Sequence, residues 1–338
     1  MSYGALALAL AESSGRALMK AAVYHRYGPP DVVKIADVLK PEPGPKQVLV
    51  RMHAATVSAG DARLRSANVP RGFGIPLRLG FGVTGPRIHI LGFDVAGEVA
   101  AVGESVTSFA PGDKVFGAGS KCHAEYVALR EDDLVAMPSN LGFAESAALP
   151  FGGTTALYYL RDKAKVERGE RVLVNGAAGA VGTAAVQIAR HYGAVVTGIC
   201  SAGNEVLVRS LGADRVVDYT KEDFARGRET YDVILDAVGN CPFERCQAVL
   251  APGGRLLVVV ATLGELLGAW VRPSRAGRRV LAGVARTHKA DLVLLGSLAQ
   301  SGAFKPVIGA TCPFARIAEA HALVDTGHKK GNVVVTIE

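Results

Sequence analysis

The stretch RVLVNGAAGAVGTAAVQIAR, from Arg171 to Arg190, constrains the fold more than any other part of the chain. A short apolar run stops at glycine, a string of small residues follows, and a helix-like apolar pattern then begins. Small residues in such a turn serve three ends: a tight bend, a close approach of the backbone to a pyrophosphate, and close packing of helix on strand. Ala177, Gly179 and Gly182 occupy those places, giving A-x-G-x-x-G with alanine first, and Ala180 and Val181 complete the turn. The pattern alone is weak evidence. Here it follows an expected strand, opens an expected helix and begins a series of βα units, which is the context a dinucleotide cradle needs. The helix N-terminus adds free N–H groups and the positive end of its dipole.

The rest of the chain divides around this stretch. From Met19 to about Leu149 the segments KAAVYH, QVLVRMHAATV, DVAGEVAAVG and GDKVFG read as short strands broken at Gly, Pro or Asp. They point to a twisted, partly closed β structure. After Pro150, apolar strands alternate with helical segments, in RVLVN, AVVTGIC, RVVDY, YDVILD and GRLLVVV. Near-continuous apolar strands separated by helices imply a parallel sheet covered on both faces. The tail then supplies a helix, a strand, the helical PFARIAEAHALVDTG and a final strand, NVVVTIE.

A chain of 338 residues, 49% hydrophobic and 20% charged, suits two globular domains. The net charge is +7, and much of the excess falls in VRPSRAGRRVLAGVARTHK, from Val271 to Lys289. That stretch reads first as a solvated, mobile surface loop, and second as a basic rim for a phosphorylated cofactor or polyanion. No aromatic-rich nucleic-acid motif accompanies it, which argues against nucleic acid. Five cysteines (Cys122, Cys200, Cys241, Cys246 and Cys312) form no CxxC pair. They match neither a disulfide framework nor a zinc-finger spacing, so a reducing, cytoplasmic setting is expected. No apolar run approaches the ~20 residues of a membrane span. Residues 1–18 have no basic start before their short apolar stretch and read as a flexible extension rather than a signal peptide.

The second strand of the parallel half ends in AVVTGICSAGN. An Asp or Glu here, about 20 residues past the glycines, would bind the ribose hydroxyls of NAD. This chain has Cys200, Ser201 and Ala202 instead, so NADPH is the better expectation and NADH remains open. Ser201 and Asn204 can donate to a 2′-phosphate, and Tyr219 in RVVDY could reach it. The alternative is that Ser201 and Asn204 cap the helix beginning near Glu205.

The segment LGFDVAGEVAAVGESVTSFAPGDKVFG, together with VNGAAGAVG, LGADRVVDY and the closing GHKKGNVVVTIE, resembles the medium-chain dehydrogenase/reductase superfamily. Within it the chain looks most like the quinone-oxidoreductase branch, from Met19 to the C-terminus. The resemblance implies an α/β protein with a doubly wound Rossmann sheet inserted into a GroES-like β-barrel domain. The barrel domain would be 19–149 plus 287–338, the Rossmann domain 150–286, and the site would lie in the cleft between them. It also implies a homodimer.

The superfamily's zinc enzymes hold a catalytic metal with Cys, His and Cys. Matched motif to motif, those positions carry Ser58, Phe93 and Phe151, with the family acids kept as Asp61 and Asp94. Phenylalanine cannot coordinate a metal, and the four-cysteine structural lobe is missing, so no zinc is expected. His53, His89 and His123 have no metal-ligand spacing. Ser58 replaces an Asn that the branch commonly uses, and can still donate one hydrogen bond to a carbonyl; Ser58 and Asp61 are the candidate catalytic residues. Thr155 matches the threonine facing the nicotinamide carboxamide. Val238, Gly239 and Val260 lie at strand ends where the nicotinamide ribose belongs. Asn332 falls where the branch commonly has a basic residue linked to the cofactor phosphate.

These readings converge on a zinc-independent, NADPH-dependent reductase passing hydride to a quinone or another conjugated carbonyl. The alternatives are an enone double-bond reductase and a non-enzymatic NADPH-binding sensor.

Overall fold

The computed structural model describes residues 11, 15–271 and 275–337. Of the expected extension 1–18, residues 1–10 and 12–14 lie outside the described residues, as does Arg272 of the basic stretch. The N-terminal half contains β1 (Leu18–Val23), β2 (Lys34–Leu39), β3 (Gln47–Val57), β4 (Asp94–Val102), β5 (Lys114–Ala118), β6 (Tyr126–Arg130) and β7 (Leu134–Ala136). Between β3 and β4 lie helices α1 (Ala59–Ser66) and α2 (Gly74–Phe81). After β7 come α3 (Phe143–Ala147) and α4 (Pro150–Leu157), the latter continuing as a π-helical stretch over Tyr158–Ala164.

The parallel half then runs β8 (Arg171–Asn175), α5 (Ala180–His191), β9 (Val195–Cys200), α6 (Glu205–Ser210), β10 (Arg215–Asp218) and β11 (Tyr231–Asp236). It continues with α7 (Phe243–Cys246), β12 (Leu250–Val258), α8 (Leu263–Val271) and β13 (Arg279–Ala282). The tail supplies α9 (Lys289–Gln300), β14 (Ile308–Pro313), α10 (Ile317–Asp325) and β15 (Asn332–Thr336).

Two main sheets result. One is entirely parallel, in the order β10-β9-β8-β11-β12-β13. This is the doubly wound arrangement, whose order reverses between β8 and β11, and ligands bind in the crevice at such a switch point. The other is a seven-stranded sheet, β14-β15-β3-β4-β5-β7 with β6 paired to β3. The tail is therefore tied back to the N-terminal half, with β15 antiparallel to β3 in the register Val333↔Val57. This is the Rossmann sheet inserted into a GroES-like barrel.

The largest apolar core joins the two halves. It runs from Phe116 and Val135 of the barrel through Leu149, Leu157 and Leu160 of the α4 region to Val172, Val174 and Leu235 of the parallel sheet. Gly152 makes the α4–α5 contact close, because a Cβ there would run into the Ala180 carbonyl and meet the Ala184 methyl group.

Two expectations are corrected here. The stretch 271–289 is not a loop throughout: Arg279–Ala282 form the edge strand β13, parallel to β12, and Arg278 donates from Nε to the Leu250 carbonyl at 2.8 Å. The surrounding arginines hide a strand of only four residues. The cysteines are not all free: Cys241 and Cys246 are disulfide-paired and buried, while Cys122, Cys200 and Cys312 remain thiols. The turn through Pro242 into α7 brings the two Cα atoms to 6.2 Å, within bonding range.

Candidate active site

The turn after β8 is built by exclusion. Gly176 has φ +80°, which favours glycine, and a Cβ on Gly182 would lie 2.7 Å from the Gly176 carbonyl carbon and 2.8 Å from the Ala177 Cα. Gly182 is therefore small because helix α5 packs on the turn. Gly179 is different. It has ordinary extended dihedrals (φ −79°, ψ 176°), and a Cβ there would approach only the Gly176 oxygen, at 3.5 Å. Nothing within the protein requires a glycine at 179. The space above it, at the N-terminus of a twelve-residue helix, fits the pyrophosphate of a dinucleotide. Ala177 is fully buried against Gly198 of β9, Ala180 is buried, and Val181 is half-buried.

The tail closes one side of this turn. Gly331 donates its N–H to the Ala178 carbonyl at 2.8 Å and forms a bridge with Gly179. Asn332 does not face the cradle as a phosphate ligand. It is buried, and its Nδ2 donates to the Ala148 and Val307 carbonyls, so it fastens the tail to the protein. The cation beside the cradle is Lys329, whose Nζ donates to the Gly331 carbonyl at 2.6 Å. Burial pushes its ammonium group down to about 8.

Ser201, Asn204 and Tyr219 converge at the ends of β9 and β10. Asn204 Nδ2 donates to Ser201 Oγ at 3.0 Å, the Tyr219 N–H donates to the Cys200 carbonyl, and the Tyr219 ring is half exposed. Neither Ser201 nor Asn204 caps a helix with its side chain, so the capping alternative is not realised. The expectation that no carboxylate stands here needs correcting. Asp218, the last residue of β10, lies across from Cys200. It came from the neighbouring strand, where the 20-residue spacing rule does not look. Its Oδ1 accepts from both the backbone and the hydroxyl of Thr220.

At the end of β11, the buried Asp236 carboxylate organises the loop that follows. It accepts from the N–H groups of Val238, Gly239 and Cys241, and from Asn175 Nδ2, at 2.8–3.0 Å. Gly239, with φ +88°, then lies against Val260: a Cβ on it would be 3.1 Å from the Val260 Cβ. A Cβ on Gly176 would equally meet the Val238 side chain. Val238, Gly239, Val260 and the glycine turn thus meet over the ends of β8, β11 and β12. Thr155 is half-buried on α4 and donates to the Phe151 carbonyl at 2.7 Å, leaving its oxygen able to accept from a carboxamide.

Positions 58, 93 and 151 do come together. A Cβ on Gly60 would lie 3.3 Å from Ser58 Oγ, 3.6 Å from the Phe93 ring and 3.7 Å from the Phe151 ring. Two phenyl rings and one hydroxyl do not fit zinc, and among the described residues no group of three His, Cys, Asp or Glu side chains is arranged to hold a metal. Ser58 departs from its expected role. It is 4% exposed, its hydroxyl donates to Asp61 Oδ2 at 2.6 Å, and the Asp61 N–H returns to its Oγ. The pair is the capping box of α1, and Asp61 Oδ1 also accepts from the Gly92 N–H. The Ser58 proton is thus already used, and Asp61 is wholly buried, so neither offers a group to substrate.

Asp94 holds the proton of this region. It is buried, accepts from the Thr56 hydroxyl and lies beside the Phe151 N–H; burial raises its carboxyl to about 8. Beside Val260, past the end of β12, lies a cavity of about 360 Å³ lined mainly by apolar residues, among them Phe73, Leu77 and Leu266. Arg63 of α1 also faces it.

Comparison with known proteins agrees with this layout. Residues 44–168 match the alcohol dehydrogenase GroES-like domain family and residues 211–335 a family described as zinc-binding dehydrogenase. The chain is 34% identical to the chloroplastic NADPH-dependent alkenal/one oxidoreductase of Arabidopsis thaliana, over 94% of this chain and 79% of that one. It is 33% identical to the quinone oxidoreductase of Sus scrofa, over 94% of this chain and 97% of that one. Among solved structures, the quinone oxidoreductase of Coxiella burnetii superposes with a TM-score of 0.85 at 29% identity, covering 95% of this chain and 100% of that one. A glycine turn open for pyrophosphate, a tail folded back beside it and the matches to both halves lead to one assignment: the chain belongs to the medium-chain dehydrogenase/reductase superfamily, in its quinone-oxidoreductase-like branch.

Proposed function

We propose that the protein is a zinc-independent, NADPH-dependent reductase that passes hydride to a quinone or another conjugated carbonyl. The observation that carries this reading is the wall made by Ser58, Phe93 and Phe151, where two rings and a hydroxyl already bonded to Asp61 stand beside the cofactor crevice. A simple ketone develops a localised alkoxide as hydride arrives, and that needs a Lewis acid or an aimed donor. A conjugated acceptor spreads the same charge along its π system and needs neither. NADPH, when bound, supplies the hydride, and a solvent proton completes the reduction. The chain's own part is positional: Gly179 leaves room for the pyrophosphate, Thr155 accepts from the carboxamide, and the phenyl rings exclude water. Asp94, holding its proton below about pH 8, adds no negative charge near the acceptor.

We assign cofactor contacts to Ala177, Gly179, Ala180, Val181, Gly182, Ser201, Asn204, Tyr219, Val238, Gly239 and Val260. Lys329 takes the place of Asn332 as the phosphate cation. The domain reading, 19–149 with 287–338 around 150–286, follows the two sheets. The outer edge of β13 pairs with no other strand among the described residues and supports a homodimer joined there. No helix among them is long and apolar enough to cross a membrane. We read the enzyme as cytoplasmic because three of its five cysteines are free thiols, and the Cys241–Cys246 disulfide and the names of related proteins, one of them chloroplastic, leave other compartments as the alternative.

The test follows NADPH absorbance with a quinone, an enone and an unconjugated ketone, and assays the purified protein for metal. Faster turnover of the unconjugated ketone, or a stoichiometric zinc whose removal abolishes activity, would overturn the proposal.

A further inference from the structure

Arg63 is the odd residue in the cavity beside the nicotinamide end. The other walls are apolar: Phe73, Leu77 and Phe81 from the α2 segment on one side, and Val260, Leu266 and Val284 from the parallel sheet's end on the other. Arg63 sits half-buried on α1 and, among the described residues, makes no hydrogen bond and no ion pair. Its neighbour two residues on, Arg65, is paired with Asp325 at 2.6 Å, so α1 is not simply a basic surface. Burial pushes the Arg63 guanidinium pKa down, with no carboxylate opposing the shift. A partly desolvated cation facing apolar walls is unfavourable unless something completes it. The phosphate cradle is built elsewhere, by Gly179 and Gly331, so the cofactor's pyrophosphate does not account for Arg63.

We propose that Arg63 makes this cavity selective for conjugated carbonyl acceptors that carry a carboxylate on an apolar chain, an inference that rests on the reductase reading above. The planar fork of arginine matches a carboxylate with two parallel N–H bonds, and the aromatic and aliphatic walls match the chain. A cavity of about 360 Å³ holds roughly a dozen non-hydrogen atoms at ~30 Å³ each, the size of an oxo-alkenoic acid of nine or ten carbons. With an enone the reaction balances as a double-bond reduction: hydride from NADPH to the β-carbon, a solvent proton to the α-carbon, and the carboxylate unchanged.

The experiment compares 9-oxodec-7-enoate, its methyl ester and the uncharged dec-3-en-2-one with wild type, Arg63→Met and Arg63→Lys. A charge-assisted pair is expected to favour acid over ester in kcat/KM by about ten- to a hundredfold, mostly through KM. Arg63→Met should bring that ratio to about one, and Arg63→Lys should keep an intermediate preference. A wild-type ratio near one, or a ratio that survives Arg63→Met, overturns the inference while leaving the reductase reading intact. Failure of all three compounds, and of a quinone run beside them, to oxidise NADPH overturns the reductase reading instead. Calorimetric titration with octanoate and octanamide then still decides the role of Arg63, because only octanoate should bind measurably. Equal binding of the two sinks it, and the same pair tests wild type alone if a variant does not fold.

Discussion

Substituting two glycines of one turn should separate a residue that is small for the fold from one that is small for the cofactor. In Gly182→Ala the new methyl carbon would sit 2.7–2.8 Å from the Gly176 carbonyl carbon and the Ala177 Cα, both backbone atoms that cannot swing aside. Overpacking of this kind costs about 1–3 kcal/mol, so the apoprotein should melt several degrees lower. In Gly179→Val the Cβ meets only the Gly176 oxygen, at 3.5 Å, and the backbone is already in the β region that valine prefers. A poorer N-cap there is roughly offset by the lower entropy of the unfolded chain. Apoprotein stability should stay close to wild type. Cofactor binding should not: the valine side chain fills the pyrophosphate's place, and losing two charge-assisted bonds at ~1.5–3 kcal/mol each weakens NADPH by at least about a hundredfold. Differential scanning calorimetry of the apoproteins and isothermal titration with NADPH give both numbers. The reasoning fails if Gly179→Val binds NADPH within threefold of wild type, or if it lowers the apoprotein melting temperature as much as Gly182→Ala.

Ser58→Ala should act on stability rather than chemistry, costing about 1 kcal/mol through the lost cap of α1, read by urea denaturation; a large fall in turnover at unchanged stability would restore a catalytic role. The raised carboxyl of Asp94 means that the folded chain binds one more proton than the unfolded chain between about pH 4 and about pH 8. Its contribution is therefore fully present below the unfolded pKa and lost as pH rises through that window, by up to roughly 1.4 kcal/mol per unit. Asp94→Asn should flatten this part of the melting-temperature profile, and an unchanged profile would refute the assignment. Lys329, lowered to about 8, should lose its charge as pH rises past 8, so NADPH affinity should fall between pH 7 and 9.5. Titration calorimetry with Lys329→Met should show weaker binding at pH 7 and a flatter pH dependence.

What the sequence made legible, and what it hid, follows from the range of each interaction. The parallel half could be read because its strands are buried on both faces and announce themselves as apolar runs; β8, β9, β10 and β11 fall within the quoted segments, and GRLLVVV covers the second half of β12. The edge strand β13 has only four residues, and its own Arg279 with the preceding Arg278 concealed it. The cradle was legible because Gly176 and Gly182 touch each other across six residues, so local spacing encodes the constraint. Ser58 was misread for the opposite reason: the family resemblance drew attention to what it replaced, while the S-x-x-D spacing with Asp61, a capping-box signal, stood in the four letters SAGD. Asp218 was missed because the spacing rule looks only at the end of β9, although its neighbour Tyr219 was read, and Lys329 because it enters from the tail, distant in sequence, beside Gly179. Arg63 lies further still from local reasoning. One arginine among many becomes informative only when its neighbour Arg65 is found with Asp325 and it is found with no partner, facing apolar walls that come from both halves of the chain. A motif reports contacts made within a few turns of backbone. The specificity of this cleft depends on contacts left unmade between elements some 200 residues apart, from Arg63 on α1 to Val260 and Leu266 at the end of the parallel sheet.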